Sequence, residues 1–169
     1  MLDKLAPNER NIVKRALIRG AVVALVIFLL IQFVPYGRSH SNPPITGEPE
    51  WDSPRTRALA VDACFSCHSN ETKWPWYSNV APISWLLQRD VDTGRAELNF
   101  SAWDREQDEA KDAADSVAEG EMPPLRYVIV NSRARLTEAE RRDLISGLRA
   151  TLDANGRGDS SGPGGSDDD

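Results

Sequence analysis

A chain of 169 residues has room for one modest domain plus extensions. Its net charge of −6 gives no reason to expect a nucleic-acid partner, and two cysteines are too few for a thiolate zinc site, which needs further soft ligands. The charge is divided unevenly, with a basic first 19 residues and an acidic remainder, which points to separate environments for the two.

Taken in chain order, residues 1–15 form a basic N-terminus. Residues 20–34, GAVVALVIFLLIQFV, carry no charge and one polar side chain, Gln32. Counting back to Ala16 and letting Arg19 snorkel gives about the length needed to cross a bilayer. A transmembrane anchor is therefore expected over 16–35, with Tyr36 at its interface. A cleaved signal peptide fits less well, because no small-x-small pattern precedes a plausible cut. The basic residues lie before the span, so the expected topology is single-pass with a cytoplasmic N-terminus and an extracytoplasmic, periplasmic body. Residues 36–50, rich in Pro, Gly and Ser, read as a semi-rigid tether.

The folded part is expected over 51–153 and reads as helical. Ser53-Pro54 supplies an N-cap and a first-turn proline for a helix running into Cys64-Phe65-Ser66-Cys67-His68. Residues 69–81 are irregular and contain Trp74-Pro75-Trp76-Tyr77. A second helix opens at Pro82 and ends near Gly94; a third runs from Ser101 through Val117, stopped by Gly120. Thr137-Glu138-Ala139-Glu140 is a capping box for a fourth, with Leu144, Ile145, Leu148 and Leu152 on one face. Residues 154–169 read as a disordered acidic tail.

Cys64-x-x-Cys67-His68 is the chemistry-bearing motif. C-x-x-C-H is the pattern of c-type haem attachment. Positions i, i+3 and i+4 share a helix face. Both thiols can thus reach the two vinyl groups on one edge of a porphyrin while the imidazole turns under the iron. A thioredoxin-like dithiol wants a βαβ pattern, which is lacking here. Half a zinc site finds no further cysteine. For the sixth iron ligand, Met122 is the one internal methionine and sits in Glu121-Met122-Pro123-Pro124 after a helix stop. His40, in the tether, is the rival. Trp74, Trp76, Tyr77 and Trp85 are candidate haem walls, and Lys73, Arg89 and Tyr127 candidate propionate partners. No carboxylate spacing picks out a general acid or base, so no enzyme is expected.

Residues 51–150 resemble a bacterial family known as the haem-binding domain, a relative of the cytochrome c domains. The likeness rests on WDSPRTRAL, ACFSCHSNETKWPWYSNVAPISWLLQRDV, the R-A-E-L-N-F-S-x-W run, G-E-M-P-P and A-R-L-T-x-A-E. It implies one covalent haem c per chain through Cys64 and Cys67, with His68 as proximal ligand and Met122 at the family's M-P-P position. The expected whole is an all-α, cytochrome c-like helical domain around the haem, preceded by a single N-terminal transmembrane helix. Its expected work is electron transfer with membrane-associated redox proteins, held to the lipid bilayer by the anchor. A haem-based sensor or small-ligand binder with a displaceable sixth ligand is the alternative.

Overall fold

A computed structural model describes residues 7–107 and 110–158. Among these residues seven α-helices follow one another: α1 (Pro7–Ile31), α2 (Pro54–Ala63), α3 (Phe65–His68), α4 (Ile83–Glu97), α5 (Ala113–Glu119), α6 (Leu125–Val130) and α7 (Glu138–Gly158). Short 3₁₀ turns lie at Trp76–Asn79, Ala110–Asp112 and Ser132–Ala134. Among the described residues the only β pairing is a single parallel bridge between Gly47 and Ala102. The chain divides into two units. One takes in the residues up to His40 together with Pro75–Gln88, and the other Ser41–Trp74 together with the chain from Arg89 onward.

The second unit holds the apolar core. Leu59, Ala60 and Ala63 of α2, Phe65 of α3, Ala114 and Val117 of α5, and Leu144 and Leu148 of α7 are all buried. Phe65, Phe100 and Trp103 stack in series, at 5.6 and 6.0 Å between centroids, and Trp51 leans on the first two. Tryptophans at 51 and 103 are thus core packing. The helix starts follow local rules. Ser53 accepts from the Thr56 amide at 3.2 Å. Thr137 and Glu140 close the expected box, with the Glu140 carboxylate accepting from the Thr137 amide at 2.9 Å and the Thr137 hydroxyl from the Glu140 amide at 3.2 Å. Gly120, at φ +81, ends α5 in the left-handed conformation. The Arg141 guanidinium donates to the last carbonyls of α5, Val117 (2.8 Å) and Ala118 (2.6 Å), where a cation is favoured.

In the first unit the expected membrane span is overturned. α1 stops at Ile31, and the chain turns away through tightened bonds, from the Gln32 amide to Leu29, Phe33 to Leu30 and Val34 to Ile31. The Gln32 side chain is what the end is built on. Its amide nitrogen donates to the carbonyls of Phe28 and Ala81, each at 3.0 Å, and its oxygen accepts from the Ala81 amide at 3.0 Å and from Arg38 at 3.2 Å. Behind the uncharged part of the helix stand Lys14, Arg15 and Arg19. What remains from Gly20 to Ile31 is ~18 Å long at the helical rise, against a hydrocarbon core of about 30 Å. Among the described residues no helix is long and apolar enough to cross a membrane. The single-pass topology loses its basis, and with it the cytoplasmic N-terminus, the periplasmic body and the lipid anchor.

Other departures are local. The helix expected from Ser101 is instead a turn followed by the short α5. Asn99 explains it: its side-chain oxygen accepts from the Ser101 amide at 2.9 Å, while Gln107 accepts from the Asn99 amide at 2.8 Å, so side chains take the bonds a helix would need. α6 lies in a stretch, between Gly120 and Thr137, where no helix was expected. α7 continues past residue 154 to Gly158, and the rest of the expected tail lies outside the described residues.

Candidate functional site

The C-x-x-C-H segment folds as a single helical turn. The Cys64 amide closes α2 on Ala60 O at 2.7 Å, and the amides of Cys67 (3.1 Å) and His68 (3.0 Å) both donate to Cys64 O. The three side chains therefore share one turn, as their spacing requires. The thiols are unpaired, so no disulfide locks them. Burial pushes the Cys64 thiol up to about 12 and the Cys67 thiol up to about 11, with the neighbouring thiol adding to the first and Asp90 to the second. An active redox dithiol needs the opposite shift. Zinc is no better served: among the described residues no group of three or more His, Cys, Asp or Glu is placed to hold a metal ion.

His68 is half-buried, and burial holds its imidazole below the ordinary range although two carbonyls oppose the shift. Its Nδ1 lies 3.0 Å from Gly94 O and 3.1 Å from Leu98 O, on the last turn of α4 and just beyond it. Two carbonyl acceptors demand an N–H at Nδ1. In a neutral ring that leaves Nε2 with its lone pair, the state a metal-binding histidine needs. The contact depends on a close approach. A Cβ on Gly94 would stand 2.8 Å from Cys67 O and 3.1 Å from Cys67 Cβ. Gly94→Ala is expected to cost about 1–3 kcal/mol by overpacking and to move the carbonyl clamp off His68. Urea unfolding reads the first effect, and the ring Nδ1–H resonance of His68 reads the second.

Met122 lies in the same unit as the turn. Its amide donates to Ser116 O at 3.1 Å, and Gly120 with Glu121 completes the stop of α5. The side chain is 37% exposed and borders a cavity of about 260 Å³ shared with Pro123, Val128 and Leu136. α6 links this loop to the cysteine turn. Tyr127 Oη is 2.6 Å from Ser66 Oγ, within the motif itself, and is also bonded by the Asn131 amide group. Arg126 forks onto Asp90 of α4 at 2.9 and 3.2 Å. Tyr127, one of the candidate propionate partners, braces α6 against the turn through these bonds.

Sequence reasoning missed α6 and the apolar residues it leaves uncovered, Leu125 (74% exposed) and Ile129 (62%). They stand at i and i+4 within α6, the spacing of one helix face, and that spacing was the available signal. It also missed Arg95, whose guanidinium binds the loop following His68. Of the expected aromatic walls, Trp76, Tyr77 and Trp85 belong to the other unit, where Trp76 is 80% exposed and meets Tyr77 edge-on at 5.8 Å. Trp74 is in the unit of the motif. His40 also belongs to the other unit, its Nε2 lying 3.2 Å from Ser78 O. Lys73 and Arg89 are exposed.

The residues present suit a haem. One turn offers two unpaired thiols and a neutral imidazole with Nε2 available, and the α6 face offers uncovered apolar side chains for a flat hydrophobic ring. No curated protein and no solved structure matches the chain. The pattern of the haem-binding domain does match it, over residues 26–150, beginning inside α1 rather than at Trp51. With the C-x-x-C-H turn inside a match covering well over half of its length, this chain belongs to the haem-binding domain family.

Proposed function

We propose that the protein is a monohaem c-type cytochrome that passes single electrons between redox partner proteins. The observation that carries this reading is the His68 clamp, which leaves Nε2 available on the turn that presents both thiols. When bound, haem supplies a one-electron iron couple. Cys64 and Cys67 would attach it, each S–H adding across one vinyl C=C so that sulfur bonds one carbon and hydrogen the other, with no oxidant required. His68 Nε2 and the Met122 sulfur would hold its iron. The Gly94 and Leu98 carbonyls keep the imidazole in one tautomer and orientation, which steadies its basicity as a ligand. Tyr127 and Ser66 brace α6 against the turn, and Leu125 and Ile129 offer apolar surface that would shield the ring from water. The acidic balance of the chain favours partners with a basic docking patch.

The reading is of a carrier rather than an enzyme. Its unit contains no histidine besides His68 to serve as a distal acid–base group. A sensor or ligand-binding role is the second reading, favoured by the exposure of Met122 on its loop. Carbon monoxide separates the two. The ferrous protein as isolated is expected to be low-spin and to resist carbon monoxide. Ready binding, with high-spin ferric iron, would transfer the assignment to the second reading.

A further inference from the structure

α6 is held to the cysteine turn by polar side chains rather than by a buried face. None of its six residues is buried. Near its start Arg126 forks onto Asp90 of α4, and one residue on, Tyr127 Oη meets Ser66 Oγ at 2.6 Å. Ser66 stands between the two cysteines in sequence, so this bond sets the phenol against the middle of the motif. The phenol is within electrostatic reach of both thiols, and the Arg126–Asp90 pair within reach of Cys67.

The two ends of the helix are pinned elsewhere. Before it, the amides of Glu121 and Met122 both donate to Ser116 O, at 3.0 and 3.1 Å, beside Gly120 at φ +81. After it, the Arg135 guanidinium donates to the carbonyls of Val128 and Ile129, each at 3.1 Å. Val128 borders the cavity of about 260 Å³ with Met122 and Leu136, so that side of the helix is not packed solid. One neutral hydrogen bond and one exposed ion pair contribute little next to a buried apolar side chain. A helix pinned at its ends and held in the middle by such bonds can swing while the core stays folded, as low-stability segments do.

We infer that α6 is a lid over the haem-attachment cysteines, latched by Tyr127 on Ser66 and Arg126 on Asp90, and that it swings away to let haem reach the thiols. That the entering group is haem rests on the reading above; the lid itself does not. For the S–H groups to add across the vinyl carbons, one edge of the porphyrin has to lie against the turn, where the Tyr127 phenol stands. Burial keeps both thiols protonated, and a protonated thiol is a poor nucleophile. A closed lid thus protects them from other electrophiles until the cofactor arrives.

Alkylation of the full, haem-free chain by iodoacetamide, followed at Cys64 and Cys67 by mass spectrometry, tests this. Tyr127→Phe keeps the ring and loses the bond, and Ser66→Ala loses it from the other side; each is expected to speed alkylation about fivefold. Adding Arg126→Gln to Tyr127→Phe is expected to bring the gain to about tenfold. A swinging lid exposes little surface, so the rate in the unsubstituted chain should change little in low urea, where global unfolding rises steeply. Unchanged rates in these variants overturn the lid. So does a rate in the unsubstituted chain that climbs with urea as steeply as global unfolding, and that measurement decides alone if the variants do not fold. Ferrous haem added to the same chains is expected to become covalently attached faster in the same order, and faster alkylation with no gain in attachment overturns the gating of haem. If no chain attaches haem, the haem reading falls, and alkylation still decides the lid.

Discussion

Replacing Cys64 and Cys67 together with alanine is expected to remove all haem that survives denaturing electrophoresis. They are the only cysteines in the chain, so no other thiol can form a thioether. Each single variant is expected to keep a weakened, one-bond attachment. A double variant that still carried denaturation-resistant haem would refute the covalent assignment. The fold is not expected to respond uniformly. Leu59 of α2, Phe65 of α3, and Leu144 and Leu148 of α7 pack with Phe100 into one buried apolar cluster. α6 contributes no residue to that cluster, and its Leu125, Ile129 and Val130 are exposed. Loss of haem should therefore leave most of the helical circular dichroism in place and expose residues 122–131 to proteases. A ligand that binds only the folded state stabilises it by mass action, and here that stabilisation is concentrated on one short helix.

Met122→Ala is expected to produce the second large change. Thioether sulfur favours ferrous iron, so its replacement by water or hydroxide should lower the reduction potential. The weak charge-transfer band of a methionine–iron bond, near the red edge of the ferric spectrum, should vanish, and the ferrous form should take up carbon monoxide readily. Met122→His should restore low-spin iron at a potential still below that of the unsubstituted protein. Identical spectra before and after Met122→Ala would show that sulfur is not a ligand. The loop makes the experiment clean: Met122 is held through its backbone amide on Ser116, and its side chain is 37% exposed, so truncation leaves α5 and its Gly120 stop intact.

Much of the site was legible because its parts are neighbours in the chain. Cys64, Cys67 and His68 fall on one turn for the same reason that any i, i+3, i+4 set does. The Ser53 cap, the Thr137–Glu140 box and the Gly120 stop each involve groups a few residues apart, and each formed as expected. The third helix failed at the same range, since Asn99 and Gln107 bond their own neighbourhood in a turn that propensity does not register. α6 was passed over because Pro123-Pro124 reads as a break, yet Pro124 stands as the N-cap of a helix that begins at Leu125.

Two matters were beyond local reading. The apolar run 20–34 is continuous in sequence, but the helix within it ends where Gln32 bonds Ala81, 49 residues away. That contact shortens the apolar helix below a membrane's thickness, and hydropathy alone carries no trace of it. The state of His68 is likewise decided by carbonyls 26 and 30 residues on. By itself the sequence determined which atoms share a turn, and hence which cofactor they can hold. Tertiary structure decided where the first helix ends and which imidazole nitrogen is available. Each of those depends on hydrogen bonds between segments that only the folded chain brings together.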